Sequence, residues 1–177
     1  MDELDRLYER VLVLRCQAGD GKAFEELVVR YSPRLRAFLS RMLDEAAEDA
    51  LQEVWLDVFK GVGSLRELGA FATWVYRVAR DRAYRALRRR GLKTLPLPEV
   101  EVSAAEEVDD DERDLLNVSL DELPHEQREV VLLRFIERMP YERIAEAVGC
   151  GIGTVRSRLH YAKRALRRGI ERRTDHE

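Results

Sequence analysis

Apolar residues recur at spacings of three and four along most of the chain, the period of helices that bury one side. Leu4, Leu7, Val11 and Leu14 predict one amphipathic helix over residues 3–18. Gly19-Asp20-Gly21 interrupts the pattern. Asp20 is placed to cap the next helix, since its carboxylate accepts from unpaired amides at the positive end of the helix dipole. Ala23, Phe24, Leu27, Val28, Tyr31, Leu35, Phe38, Leu39 and Met42 then hold helical spacing to residue 43, with Pro33 expected to kink or divide that run.

A third segment, EAAEDALQEVWLDVFKGV, has Ala50, Leu51, Val54, Trp55, Val58 and Phe59 as its apolar face and Glu48, Asp49, Gln52, Glu53 and Asp57 outside. Gly61 and Gly63 are expected to end it through a left-handed cap. A fourth helix is predicted from Glu67 to Arg90, with Phe71, Trp74, Val75, Val78 and Ala79 inward and Arg77, Arg80, Tyr84 and Arg88 on another face. Asp81 lies four residues from both Arg77 and Arg85, spacing at which a carboxylate can orient each. Periodicity then fails: Pro96, Pro98 and the run EEVDDDERD describe a flexible acidic linker.

Helical spacing returns near Leu115 and breaks before Pro124. YERIAEAV, a Gly149-Cys150-Gly151-Ile152-Gly153 turn and a long basic helix follow, the order of a helix-turn-helix whose second helix enters a DNA major groove. The glycines imitate a nucleotide-binding loop, but that loop must follow a strand, whereas Tyr141, Ile144, Ala145 and Val148 have helical spacing. Gly149 is expected instead to supply a positive φ between two helices, with Cys150 a small packed side chain. In the last helix Ile152, Val155, Leu159, Ala162 and Leu166 form the inward stripe. The fold class is therefore all-α: two small helical domains, residues 1–92 and 114–177, joined by an acidic linker at 93–113, the second domain being the helix-turn-helix.

Charge sharpens this division. The net value of −3 conceals basic blocks of +7 over residues 71–93 and +5 over 130–177, flanking −11 over 94–129. Local field governs binding, so two basic helices outweigh a slightly acidic sum. Arginine takes guanine bidentately and phosphates as a fork, and arginines interleaved with aromatics, as from Phe71 to Arg90, suit a single strand. Two distant cysteines, Cys16 and Cys150, support neither a disulfide scaffold nor a thiolate zinc site. The N-terminus carries no signal-peptide pattern and no apolar span. His125, His160 and His176 are scattered and no G-x-S-x-G or H-E-x-x-H occurs, so neither catalysis, metal nor cofactor is expected.

EDALQEVWLDVF, FATWVYRVARDRAYRALRRR and the region from Leu123 to Arg168, in this order and separated by an acidic linker, resemble the extracytoplasmic-function group of the bacterial sigma-70 family of RNA polymerase sigma factors. The resemblance implies a cytoplasmic protein that binds core RNA polymerase through the β′ coiled coil and the β flap, directs it to promoter DNA and assists melting. It implies control by an anti-sigma factor. Residue by residue, it implies that Asp49, Gln52, Glu53, Leu56 and Phe59 dock on polymerase and that Trp74, Arg77, Arg80, Asp81, Arg82, Arg85 and Arg88 read the minus ten element. Thr154, Arg156, Ser157, Arg158, His160 and Lys163 correspond to the minus thirty-five readers. The chain departs from the family pattern at Asp81, where Asn is common, at Arg85, where Asp is common, at Tyr161, where Arg is frequent, and at Met139-Pro140.

Two further readings fit a helical chain with a helix-turn-helix. One is a self-contained repressor or activator whose residues 1–92 sense or dimerise, which predicts two-fold half-sites. The other is a helical adaptor whose arginines only solvate it, which predicts no DNA affinity at low salt.

Overall fold

Asp20 starts the central helix of the first unit as its sequence position requires. Its Oδ1 accepts from the amides of Lys22 (3.0 Å) and Ala23 (3.3 Å), while Arg15 grips Oδ2 through Nε (2.9 Å) and Nη2 (2.7 Å). Those bonds, Arg15's above all, hold the Asp20 carboxyl below its ordinary pKa. The structure, a computed structural model, describes residues 3–91 and 120–174, with side chains described through Arg168. The predicted linker, residues 93–113, lies outside the described residues. No strand occurs among those described, and the chain divides into two compact units at Leu92/Lys93.

The first unit contains α1 (Glu3–Gln17), α2 (Gly21–Leu43), α3 (Ala47–Gly61) and α4 (Phe71–Arg89). Helix α2 is central, packing against each of the other three. Leu27, Tyr31, Leu35, Phe38 and Leu39 of α2 meet Leu51, Val54 and Val58 of α3 and Phe71, Val75, Tyr76, Ala79 and Leu87 of α4 in one buried core. Each such side chain contributes about 1.5–3 kcal/mol relative to exposure. Edge-to-face pairs link α2 to α4: Tyr31 with Phe71 at 5.2 Å and Phe38 with Tyr76 at 5.6 Å between ring centroids. Gln17 fastens the end of α1 by donating to the carbonyls of Val62 (3.0 Å) and Leu65 (2.7 Å).

Three expectations are corrected and one is narrowed. Of the two outcomes expected at Pro33, division does not occur, and α2 continues through it. The carbonyl that proline leaves without a donor belongs to Val29, which is 75% exposed, so water can satisfy it. Gly61 is right-handed, at φ −100°, and α3 runs on into a 3₁₀ turn at Val62–Ser64 rather than ending in a left-handed cap. Its requirement is space: a Cβ there would lie 2.8 Å from the Trp74 ring. Helix α1 is turned away from the predicted orientation, for Leu12 and Val13 are buried while Leu4, Leu7, Val11 and Leu14 are exposed. Phe59, assigned to the inward face of α3, is 66% exposed.

The second unit contains α5 (His125–Val131), a π-helical turn at Leu132–Ile136, α6 (Tyr141–Val148) and α7 (Ile152–Thr174). Val130, Leu133, Ile144, Val148, Val155, Leu159, Ala162 and Leu166 are buried. Ile152, at the start of α7, is not part of that stripe, being 37% exposed. Gly149 adopts φ 72°, and the amides of Gly149 (2.9 Å) and Cys150 (3.2 Å) both donate to the Ala145 carbonyl, closing α6 as expected. Pro140 stands immediately before α6, where its missing amide costs nothing.

Glu9 is buried at 3% exposure and accepts from the Tyr31 hydroxyl. Burial raises its carboxyl above the ordinary pKa, against the pull of Tyr31, Arg30 and Arg34. The folded protein thus holds that proton more tightly than the unfolded chain, so the associated stability is full below the ordinary carboxylate range and is lost as pH rises through the raised value. Glu9→Gln, neutral throughout and still able to accept from Tyr31, is expected to raise the urea midpoint near pH 7.5 and to leave it unchanged near pH 4, in paired denaturation curves. Gly61→Ala should destabilise by about 1–3 kcal/mol through its clash with Trp74. Helix propensity alone would stabilise that variant by about 1 kcal/mol, so the sign of the shift separates the two effects.

Candidate nucleic-acid and polymerase interfaces

Helix α4 is basic on one side and apolar on the other, and the structure divides its predicted DNA residues into two groups. Arg77, Asp81, Arg85 and Arg88 are exposed and follow one another at intervals of four, four and three, so they share a face. Arg82 is turned elsewhere. Its Nε donates to Asp57 (2.6 Å) and its Nη1 to Glu53 (2.7 Å), both on α3, and its side chain is 20% exposed. Pairing, with Asp57 first and Glu53 after it, raises the Arg82 pKa further. Arg82 therefore ties α4 to α3.

Among the aromatics of α4, Tyr84 departs from the expected face, whereas Phe71 and Trp74 keep to the inward side. Tyr84 is 6% exposed, and the Arg80 guanidinium lies 4.5 Å over its ring, so Tyr84 stands beneath an arginine and not in the open. Trp74 is half-buried, its ring against Gly61 and 6.0 Å from Phe71. Asp81 lies 3.8 Å from Arg80, an adjacent-residue pair that the four-residue spacing did not indicate. Tyr76, wholly buried, was missed because its position falls beside the stripe drawn through Phe71, Val75 and Ala79.

Helix α3 presents Asp49, Gln52, Leu56 and Phe59 outward at spacings of three, four and three, with Leu56 at 59% and Phe59 at 66% exposure. Glu53, expected among them, is half-buried and held by Arg82, with Arg89 also 3.7 Å away. Phe59 is steadied from one side by Phe24, edge-on at 5.3 Å. Trp55 meets the same Phe24 at 5.9 Å and donates from its indole nitrogen to Ser32 (3.0 Å). Two large apolar side chains thus stand in solvent on a braced helix, a surface suited to a protein partner.

On α7 the predicted readers also separate. Arg156 is exposed, and Thr154, His160 and Lys163 are half-exposed. Arg156, His160 and Lys163 recur at four and three, and exposed Arg167 extends the same line, a residue that this spacing could have identified in the sequence. Ser157 is 5% exposed and its hydroxyl donates back to the Thr154 carbonyl (3.0 Å). Arg158, 16% exposed, donates to the carboxylate of Glu129 at 3.2 Å, and Glu129 on α5 is fully buried. Arg158 accordingly ties α7 to α5, while Ser157 is buried and bonded within its own helix. Glu129 gave no sign of this role in sequence, where it follows Glu126, Gln127 and Arg128 as one more polar position before Val130.

Among the described residues no cluster of three potential metal ligands occurs. Comparison with known proteins fixes the family. Residues 27–92 match sigma-70 region 2, and residues 113–166 match sigma-70 region 4. The chain is 33% identical over 180 residues to the ECF RNA polymerase sigma-E factor of Escherichia coli K12, covering 92% of this chain and 94% of that one. It belongs to the ECF sigma factors. The RNA polymerase sigma-H factor of Pseudomonas aeruginosa is 30% identical over 184 residues, with the same coverages. Among solved structures, the sigma factor RpoE of Bartonella quintana, in complex with the anti-sigma factor NepR, superposes with a TM-score of 0.66 at 25% identity over 85% of this chain and 98% of that one. CnrH, in complex with the cytosolic domain of CnrY, shares the fold with a TM-score of 0.69 at 18% identity, covering 93% and 97%.

The geometry separates an arginine that supports this ECF factor from one that its surface offers. Arg158→Ala leaves Glu129 buried without that partner and is expected to cost about 3 kcal/mol in urea denaturation. Arg156→Ala should stay within about 0.5 kcal/mol of the parent protein. In holoenzyme it should weaken promoter binding and lower the slope of log affinity against log salt by about one. Equal stability losses from the two changes would refute the division.

Proposed function

We propose that this ECF sigma factor binds core RNA polymerase, directs it to specific promoters and assists their melting, acting by binding in the cytoplasm while polymerase supplies the chemistry. The observation that carries this reading is the similarity to the E. coli sigma-E factor across 92% of the chain, spanning both basic helices. The first unit takes the polymerase contact and the minus ten element, the second the minus thirty-five duplex. Partners on polymerase are the β′ coiled coil for α3 and the β flap for the second unit.

The exposed line Asp49, Gln52, Leu56 and Phe59 meets the coiled coil, and Glu53 holds the line's inner edge in place through Arg82. Arg77, Asp81, Arg85 and Arg88 face the opening strand, with Trp74 and Arg80 behind them and Arg82 as a positioning residue. Thr154, Arg156, His160 and Lys163 face the duplex, and Arg158, through Glu129 of α5, holds the helix that carries them, with Ser157 buried behind the line. Asp81 cannot attract a phosphate, so its role is to select a base or orient Arg80. Two readers tied together act through effective concentration, which allows each to be weak alone. Control by an anti-sigma factor is supported by the NepR complex of the Bartonella relative.

The test is transcription in vitro from a promoter library drawn from the source genome, with core polymerase and this protein added singly and together. Promoter-specific transcripts are expected only with both present. Transcripts absent from every promoter with folded protein, or tight two-fold binding to duplex by the free protein, would establish a stand-alone regulator instead.

A further inference from the structure

Arg156 and Arg158 lie two positions apart on α7 and are restrained in different ways. Arg158 donates to the Glu129 carboxylate at 3.2 Å. Among the described residues no carboxylate pairs with Arg156, which is exposed and whose guanidinium carbon lies 6.0 Å from the centroid of the Tyr141 ring. Tyr141 is the first residue of α6 and half-buried, and a second guanidinium, that of Arg134, lies over its ring at 5.2 Å. Arg134 is itself anchored, donating from Nη1 to the Met139 carbonyl at 3.3 Å, and Met139 is buried. Pro140, at φ −68°, fixes the backbone on which the ring enters α6. The supports thus run in series from the Met139 carbonyl through Arg134 and the Tyr141 ring to Arg156.

The two kinds of restraint leave an arginine with different chemistry. A carboxylate holds the guanidinium by taking N–H groups at its edge, as Glu129 does with Arg158. An aromatic face attracts the charge and takes none of the five N–H donors. Only the second suits an arginine whose fork must remain open to a base edge or a phosphate. At 6.0 Å the attraction is at the outer limit of such contacts, so it biases the orientation of Arg156 without locking it.

We propose that Tyr141, braced by Arg134, is a positioning residue for duplex recognition, its ring holding the Arg156 guanidinium in the orientation that meets DNA. It acts through Arg156 and not through a DNA contact of its own hydroxyl. The inference rests on the reading of α7 as the helix that faces the duplex, and it adds two residues to which that reading gives no part.

The test measures binding of holoenzyme to the promoter fragment that gives the strongest transcript, across a salt series, beside NMR spectra of the isotope-labelled free chain. Tyr141→Leu should weaken binding about two- to fivefold, the worth of an exposed cation–π contact, with an unchanged melting curve. It removes no charge, so the slope of log affinity against log salt should keep its parental value, where Arg156→Ala lowers it by about one. In the Arg156→Ala background Tyr141→Leu should have no further effect. Tyr141→Phe, which keeps the ring, should restore the affinity that leucine loses. In the free chain the Arg156 Nε proton should lie upfield, shielded by the ring, and move downfield in Tyr141→Leu. Should the leucine variant unfold, Arg134→Gln loosens the same ring and should move that proton and the affinity in the same directions, again only while Arg156 is present. A parental holoenzyme that binds no promoter defeats the promoter reading and this inference with it. Where the parental protein does bind, four results overturn this inference alone. They are full affinity in the leucine variant, a loss that adds to that of Arg156→Ala, an unshifted Arg156 proton, and an equal loss in the phenylalanine variant, which would give the Tyr141 hydroxyl a DNA contact of its own.

Discussion

A basic helix can pack into a small domain only if the charges that lean toward the core find partners there. Arg82 meets this constraint in the first unit, with Glu53 and Asp57 of α3 around its guanidinium. Arg158 meets it in the second, against a fully buried Glu129 on α5. An isolated buried charge costs several kcal/mol, so each pair decides how its helix is oriented as much as how strongly it is held. Once those two arginines are fixed, the remaining basic side chains of α4 and α7 must point away from the core. The exposed basic faces are thus a consequence of internal pairing.

The same pairs connect functions that the sequence presents as separate segments. Glu53 and Asp57 stand one turn apart on the helix that exposes Leu56 and Phe59, and they hold the helix that exposes Arg77, Asp81, Arg85 and Arg88. Trp74 against Gly61 adds a steric contact between α4 and the end of α3. The surface proposed to dock polymerase and the surface proposed to read the opening strand are tied together by these contacts. That is what a factor needs if attachment to polymerase is to aim its DNA contacts.

Periodicity placed nearly every helix, because the apolar residues of Leu27 to Met42 or Val155 to Leu166 admit one repeat and no other. Asp20 and Gly149 were legible as well, since a cap and a positive φ depend on the residue and its immediate neighbours. Individual site residues were less legible. Arginine at a helical position can face solvent, a phosphate or a carboxylate from another helix, and Arg77, Arg82 and Arg158 look alike until Glu53, Asp57 and Glu129 are brought beside two of them. Tyr84 was misplaced for a related reason: an amphipathic aromatic can cover a core as readily as it can meet a base, and here Arg80 lies over it.

Helix α1 marks the boundary between the two kinds of information most sharply. The sequence by itself determined that residues 3–17 are helical, that the chain is all-α, where its turns fall and, through three ordered segments, which family it joins, for these follow from local spacing and residue type. It could not determine which side of α1 faces α2, because Leu12 and Val13 compete with a longer row of leucines and nothing local ranks them. Tertiary structure decided that question through Asp5, Glu9 and Gln17, whose partners Arg30, Tyr31 and the Val62 and Leu65 carbonyls are 22 to 48 residues away in the chain. Contacts between distant residues chose the inward face, and the better apolar stripe was left in solvent.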